Sequence, residues 1–160
     1  MKMANFLRLT AVLALLCAIS VTVWADNRER DAQPVEFRDI SSEVFLRNDM
    51  EVTTRMSRLV LENATAFEDY FVDASVAMGS YEMLSVDFLT EYVLGVVFKE
   101  TDHETTITPV EVKINDDYIY FYYRVDKGEK RDFKLAPFCL VALPKPKQGN
   151  NFHVIFKQVN

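Results

Sequence analysis

From Tyr92 onward, apolar runs and apolar–polar alternation predict a series of β-strands. The segment YVLGVVFKE is apolar at both alternations until Lys99, which is typical of an interior strand buried on both faces. Further strands are predicted at ITPVEVKI, YIYFYYRV, FCLVAL and FHVIFKQV, with turns at Asn115–Asp117, Asp126–Glu129 and Gln148–Asn150. Because the connections are short, we expect antiparallel hairpins rather than crossovers through helices.

The preceding segment contains weaker strand patterns and one helix pattern. Val35–Ile40 and Val52–Arg55 are predicted to be short strands, and RLVLE, residues 58–62, a stronger one. Thr65 and Glu68 have the spacing of a capping box at the start of a helix. The helix itself is predicted by an apolar stripe at positions i, i+3, i+4 and i+7, which consists of Phe67, Tyr70, Phe71 and Ala74.

These elements predict a single α+β domain over residues 34–160, in which one α-helix packs against a mainly antiparallel β-sheet. The composition agrees with one domain, because the chain has only 4 glycines and 5 prolines and therefore no long linker. A chain of this size can bury about two-thirds of its unfolded surface in one core.

Residues 1–25 have the pattern of a secretory signal peptide. Lys2 and Arg8 give a positive start, Leu9–Val23 is almost continuously apolar, and Ala25 completes a small-x-small cleavage step. The apolar run of about 15 residues is shorter than the roughly 20 that cross a bilayer, which favours cleavage over a membrane anchor. The sequence therefore predicts an extracytoplasmic protein (periplasmic, envelope-associated or secreted) that meets the membrane only through its signal peptide.

The residues after the cleavage site are polar and the chain is acidic. Residues 26–33, DNRERDAQ, predict a flexible N-terminal tether. The formal net charge is −6, and loss of the positive Lys2 and Arg8 with the signal peptide lowers it to −8. Nucleic acid is excluded as a partner, because it requires a basic surface.

The two cysteines have different surroundings. Cys17 lies in the predicted signal peptide and follows Leu16 rather than the small residue of a lipobox, which favours an ordinary apolar residue over lipidation. Cys139 is then the one remaining cysteine, so no intramolecular disulfide forms. It lies in the apolar run between Pro137 and Pro144, which predicts a buried strand that ends at Pro144. Burial among apolar residues raises the pKa of a thiol, so Cys139 is predicted to be inert.

Candidate catalytic and metal-binding residues are few. His103 and His153 are the only histidines and neither has the spacing of metal ligands, so Asp102–Glu104 is predicted to be a polar loop between two strands. No G-x-S-x-G elbow surrounds the serines near the predicted helix, which are Ser75, Ser80 and Ser85. The sequence therefore predicts no enzyme, no metal site and no cofactor.

The strand YIYFYYRV is the candidate binding site. Alternation places Tyr118, Tyr120 and Tyr122 on one face and Ile119, Phe121 and Tyr123 on the other. Exposed tyrosines are favoured at protein interfaces and carbohydrate platforms. The alternative is cross-strand packing within a sheet, and the exposure of the three tyrosines distinguishes the two.

Three segments together are similar to a known family. RLVLENATAFEDYFVD, VDFLTEYVLGVVFKE and APFCLVALPKP, in this order, resemble the C-terminal domain of the PrcB-like family over Ser57 to Phe156. The family is named for a protein that stabilises a secreted serine-protease complex. Residues 100–112, ETDHETTITPVEV, depart from the family pattern because they contain no glycine. The resemblance implies a non-enzymatic, extracytoplasmic accessory domain that stabilises or restrains a protease complex.

Three functions make different structural predictions. A protein-interaction domain, the function that we predict, needs an exposed apolar patch or an unpaired strand edge and no convergent polar pocket. The alternative, a glycan or lipid binder, needs a concave pocket lined by aromatic residues such as Tyr118, Tyr120, Phe121 and Tyr122. An enzyme needs His103 or His153 near a serine, cysteine or carboxylate in a cleft.

Overall fold

The protein consists mostly of β-strands. A computed structural model describes residues 28–50, 52–75, 86–115, 117–145 and 152–160. Of these residues, 61% lie in strands and 11% are helical. The predicted α+β fold with one packed helix is therefore wrong. The predicted signal peptide with Cys17, the turn at Gln148–Asn150, Ser80 and Ser85 lie outside the described residues.

In the described part of the chain, ten strands form two four-stranded sheets and one two-stranded ribbon. The hairpin sheet has the order β1-β7-β8-β10 and consists of β1 (Gln33–Pro34), β7 (Thr101–Ile114), β8 (Tyr118–Leu135) and β10 (His153–Val159). The central sheet has the order β2-β9-β6-β4 and consists of β2 (Arg38–Asp39), β9 (Phe138–Pro144), β6 (Glu91–Phe98) and β4 (Met56–Leu61). The ribbon pairs β3 (Val44–Leu46) with β5 (Phe71–Asp73).

The central sheet is buried on both faces. A first core fills the space between the central and hairpin sheets and includes Leu94, Phe121 and Val141. A second core lies on the opposite face, where Val93 and Leu140 of the central sheet meet residues of the ribbon. This layering explains why β6 and β9 are apolar at both alternations, and it confirms that YVLGVVFKE is an interior strand.

The predicted helix is much shorter than its apolar stripe. Helix α1 spans Ala64–Glu68, and its N-cap is Asn63, whose side chain accepts a hydrogen bond from the Ala66 amide at 2.9 Å. Phe67 lies in α1 but Phe71 lies in β5, and their rings meet 5.4 Å apart in the second core. The four-residue spacing of the two rings, which predicted one continuous helix, is therefore produced by a helix followed by a strand. Among the described helices, none is long and apolar enough to cross a membrane.

The β7–β8 hairpin extends well beyond the predicted strands. The half of the hairpin that lies away from the connection between β7 and β8, residues 101–106 paired with 126–135, is called the arm. The arm contains both the predicted turn at Asp126–Glu129 and the predicted loop at Asp102–Glu104, so these two predictions are wrong. Most arm residues are polar and solvent-accessible on both faces, and such a strand lacks the apolar alternation that marks a half-buried one.

The last strand joins its sheet in an unexpected direction. We expected antiparallel hairpins, and β7–β8 is one. However, β10 pairs in parallel with β8, placing Ile155 beside Tyr120 and Lys157 beside Tyr122. The strand between them in sequence, β9, belongs to the other sheet. The predicted hairpins β8–β9 and β9–β10 are therefore wrong, because a short connection can also cross between two packed sheets. Strand β9 is nevertheless antiparallel to its neighbours β2 and β6.

Cys139 is fully buried in the first core, as predicted. Burial raises the pKa of its thiol to about 12, and the negative charge of Asp39 adds to this effect. The thiol is therefore protonated at neutral pH and inert as a nucleophile.

Replacement of Cys139 by serine is expected to lower the free energy of unfolding by about 1–3 kcal/mol, because it places a hydroxyl in an apolar site. Urea denaturation measures this loss. Cys139→Ala is the matched control, since it removes the sulfur without adding a polar group, and it should be the more stable of the two variants. An unchanged stability of Cys139→Ser would contradict the burial of this side chain.

Candidate functional site

The two faces of the aromatic strand have different environments. Ile119, Phe121 and Tyr123 point into the first core. Tyr118, Tyr120 and Tyr122 lie on the opposite, outer face of the hairpin sheet, as the alternation predicts. We call this outer surface the tyrosine face, and it consists of these three tyrosines with their cross-strand neighbours Glu111, Lys113, His153, Ile155 and Lys157.

The tyrosine face is covered by the start of the described chain. Residues 28–32, named the N-terminal cover, begin with helical residues 28–30 and lead into β1. Ala32 packs on Tyr120 and Tyr122, and the exposed fractions of these three residues are 6%, 3% and 9%. From position 28 onward, the expected flexible tether instead packs on the sheet. Only Tyr118 of the three candidate tyrosines retains intermediate exposure.

Arg28 and Tyr118 form one end of this contact. The Arg28 guanidinium donates a hydrogen bond to the Tyr118 hydroxyl at 2.8 Å, and it lies 5.3 Å from the centre of the same ring. The Asn115 side chain donates to the Arg28 carbonyl at 2.7 Å. On its other side, Tyr118 contacts the ring of His153 at 5.5 Å.

Glu29 occupies a carboxylate-binding position at the other end. Its two carboxylate oxygens accept hydrogen bonds from the Tyr122 hydroxyl and the Lys157 ammonium group. The Lys157 ammonium lies 5.4 Å from the ring centre of Tyr120, and that of Lys113 lies 5.4 Å from the ring centre of Tyr122. Two cations and a hydroxyl thus surround one carboxylate on an aromatic surface.

The pKa values respond to this arrangement. The hydrogen bond from Lys157, followed by that from Tyr122, lowers the pKa of Glu29 below its ordinary value. Burial, reinforced by the Glu29 carboxylate, raises the pKa of Tyr122. Glu29 is therefore ionised and Tyr122 protonated at neutral pH, which is the state that their hydrogen bond requires.

Acidification is expected to release the N-terminal cover. Because the folded-state pKa of Glu29 is lowered, its ionised form stabilises the cover above the ordinary pKa of 4.5, and this stabilisation disappears as the pH falls through the lowered value. The NMR signal of the Ala32 methyl group should move during this transition, while that of Leu94 reports global unfolding separately.

Glu29→Gln is the control for this titration, because it has the same shape without the ionisable group. The Ala32 signal of this variant should show no transition of its own between about pH 7 and pH 3. A transition that persists in the variant, or a wild-type midpoint above pH 4.5, would contradict the role of Glu29.

A cleft lies between the arm and the central sheet. It has a volume of about 470 Å³ and is lined in part by Ser41, His103 and Arg131. Three of its polar groups have partners: His103 Nδ1 lies 2.9 Å from Asp102, Arg131 lies 2.6 Å from Glu104, and the Ser41 hydroxyl donates to Asp39 at 2.6 Å. The histidine, the arginine and the serine of the cleft are therefore each held by a neighbouring carboxylate.

Among the residues that the structure describes, Cys139, Ser75 and the two histidines do not come together as a nucleophilic triad. Cys139 is in the first core, His153 is on the tyrosine face, and His103 lines the cleft. Ser75 is buried, and its backbone amide donates to Asp73 at 2.8 Å. In the described ranges, no group of three or more histidine, cysteine, aspartate or glutamate residues could hold a metal ion.

Sequence reasoning found the three tyrosines but missed the charged residues around them. Lys113 lies opposite Tyr120 on the neighbouring strand, and this pairing could not be identified without the register. Lys157 reaches the face because β10 is parallel to β8, a direction that no local pattern signals. Comparison of the chain with family models, curated proteins and solved structures gives no match, so the PrcB-like resemblance stays a prediction.

Proposed function

We propose that this chain is an extracytoplasmic, non-enzymatic protein-interaction domain and that its recognition surface is the tyrosine face. One observation supports the proposal: residues 28–32 lie on this face as a bound peptide would, with a seated carboxylate, a seated guanidinium and a buried Ala32. Tyrosine combines a large apolar area with a polar tip, which suits it to peptide recognition. The partner class is another extracytoplasmic protein, and the PrcB-like resemblance indicates a protease complex.

The alternative, glycan or lipid binding on an aromatic surface, has less support. Phe121 is fully buried in the first core and cannot line a pocket with the tyrosines. Tyr120 and Tyr122 lie beneath the cover rather than in an open concavity. A small apolar ligand would also leave the Lys157 ammonium and the Tyr122 hydroxyl without the acceptor that Glu29 now supplies.

An enzymatic function is also less well supported. His103 does lie within hydrogen-bond distance of a carboxylate in a cleft, which is part of what an enzyme requires. The carboxylate belongs to the adjacent Asp102, which Lys130 also contacts at 3.3 Å. The Ser41 hydroxyl in the same cleft donates to Asp39 and accepts from the Leu140 amide, as a structural serine does.

A pull-down from native envelope extract tests the proposed function. The exported chain is immobilised beside two variants of the same strand. Tyr118→Ala removes the most accessible ring of the tyrosine face, and Phe133→Ala removes an exposed ring of the arm. We expect the wild type and Phe133→Ala to retain one protein in near-equal molar amounts, and Tyr118→Ala to retain about fivefold less or lower still.

The result that would overturn this proposal is equally specific. Retention of glycans alone, of nothing, or of a protein whose amount is the same for Tyr118→Ala would exclude the tyrosine face as a protein-recognition surface. Recovery of a protease as the retained protein would support the partner class that the PrcB-like resemblance implies.

A further inference from the structure

Two polar groups of the tyrosine face, the Lys157 ammonium and the Tyr122 hydroxyl, converge on the carboxylate of Glu29. Lys113 has a second partner, because its ammonium lies 3.1 Å from the Glu111 carboxylate. Lys157 and Tyr122 depend on Glu29, which in the described part of the chain is their one hydrogen-bond acceptor. If the cover leaves, an ammonium group and a phenolic hydroxyl lose this acceptor together. The uncovered face is therefore a site for an anion held next to aromatic rings.

The N-terminal cover buries little apolar surface. Of residues 28–32, Ala32 alone is buried, so little apolar surface leaves water when the cover closes. One of its backbone hydrogen bonds, from the Ala32 amide to the Glu29 carbonyl, is internal to the cover. β1, which follows, pairs only Gln33 and Pro34 with β7. Segments with such sparse burial open locally at a small free-energy cost.

We infer that the tyrosine face binds a carboxylate-bearing peptide segment of a partner protein, and that the N-terminal cover is a built-in competitor that leaves when this segment binds. The inference rests on the proposed function and names both the chemistry of the partner and the regulation of the site. A glutamate or aspartate of the partner takes the place of Glu29 between Tyr122 and Lys157. A small apolar residue takes the place of Ala32.

The hydrogen-bonding groups of the face favour an occupant that carries a carboxylate. A segment without a carboxylate would bring no counter-charge to the Lys157 ammonium, which Glu29 now binds. A purely apolar segment would bury Lys157 and Tyr122 without an acceptor, and buried unpaired polar groups are costly. A carboxylate-bearing segment satisfies both groups in the way that Glu29 already does.

Binding of the chain's own cover sequence in trans tests the inference. The probe is the fluorescein-labelled peptide NRERDAQ, which has the sequence of residues 27–33, and fluorescence anisotropy measures its affinity. Two variants of the exported chain open the cover by independent routes. Glu29→Gln removes the carboxylate, and Ala32→Gln places a larger neutral side chain where Ala32 is buried against the tyrosines.

Both variants are expected to bind the peptide about tenfold or more tightly than the wild type does, because a closed cover lowers the apparent affinity in proportion to the open fraction. The peptide NRQRDAQ, which lacks the carboxylate, should bind the opened chain about tenfold more weakly. Lys157→Met in the opened chain should abolish binding, whereas Lys134→Met on the exposed arm should not change it.

Several outcomes would overturn the inference. Equal affinity of the wild type and both opened variants would show that the cover does not compete. Equal binding of NRERDAQ and NRQRDAQ would exclude carboxylate recognition. A dimer of the opened variants would identify a second copy of this chain as the occupant, in place of a partner protein.

The two proposals fail in different ways. If Tyr118→Ala abolishes the pull-down but the peptide binds every variant with equal affinity, the inference about the cover and its carboxylate is lost while the proposed function stands. If the peptide behaves as expected but the envelope extract yields no protein, the proposed function fails while the chemistry of the face stands.

Discussion

Replacing Phe121 by alanine is expected to lower the free energy of unfolding by about 3–5 kcal/mol, which is typical of removing a fully buried ring. Phe121 is at 0% exposure in the first core. Its ring lies 5.8 Å from that of Phe156 and 5.9 Å from that of Tyr123. The substitution therefore leaves a cavity where β8 and β10 both face the central sheet. Urea denaturation of the purified protein measures the loss.

Phe133→Ala is the matched control, because Phe133 is the same residue type in the same strand but is 56% exposed on the arm. Its cost should stay within about 0.5 kcal/mol, as for most surface substitutions. Similar losses for the two variants would contradict the assignment of Phe121 to the core and of the arm to solvent. The pair also calibrates the pull-down, in which Phe133→Ala must retain full stability.

Replacing Gly95 by alanine is expected to cost about 1–3 kcal/mol through overpacking of the second core. Gly95 lies in β6 between Leu59 and Leu140 of the neighbouring strands. A Cβ atom there would overlap the side chain of Leu140 and approach the Cys139 carbonyl oxygen to 3.3 Å. Leu140 is fully buried and has no free space to move into, and the carbonyl oxygen is part of the backbone.

Gly128→Ala is the control for this prediction. An added Cβ at position 128 would meet the Cβ and Cγ atoms of the exposed Glu104 on the arm at 3.3 and 3.4 Å, which is a close contact rather than the overlap met at position 95. Its effect should be within about 0.5 kcal/mol. A double variant with Leu140→Ala tests the mechanism further, because Gly95→Ala should cost less once Leu140 is shortened. Independent, additive losses would show that Leu140 is not the obstacle.

The apolar strands of both four-stranded sheets were predictable from the sequence, whereas the helix length and the arm were not. β6 and β9 are apolar at both alternations because they are covered on both faces. A short, continuously apolar sequence of this kind is typical of an interior strand. The helix prediction failed because Phe67 and Phe71 reach one core from two different elements. The arm was mistaken for turns because its two faces are both polar.

The candidate site shows the same division. Alternation along β8 correctly placed Tyr118, Tyr120 and Tyr122 together. The cover above them was predicted as a tether, since a polar, charged segment such as DNRERDAQ has the composition of disordered chain. Its placement depends on specific contacts with residues far away in sequence, and local composition carries no information about these contacts.

The tyrosine face can form only after strands that are far apart in the sequence have come together. β7 and β8 are joined by a short local turn, whereas β1 and β10 reach them from opposite ends of the described chain. The Glu29–Lys157 contact spans 128 positions in sequence. Long-range contacts form late in folding, because the entropy of closing a large loop is lost before the contact stabilises the chain. The tyrosine face is therefore a property of the finished fold, and an incompletely folded chain cannot present it.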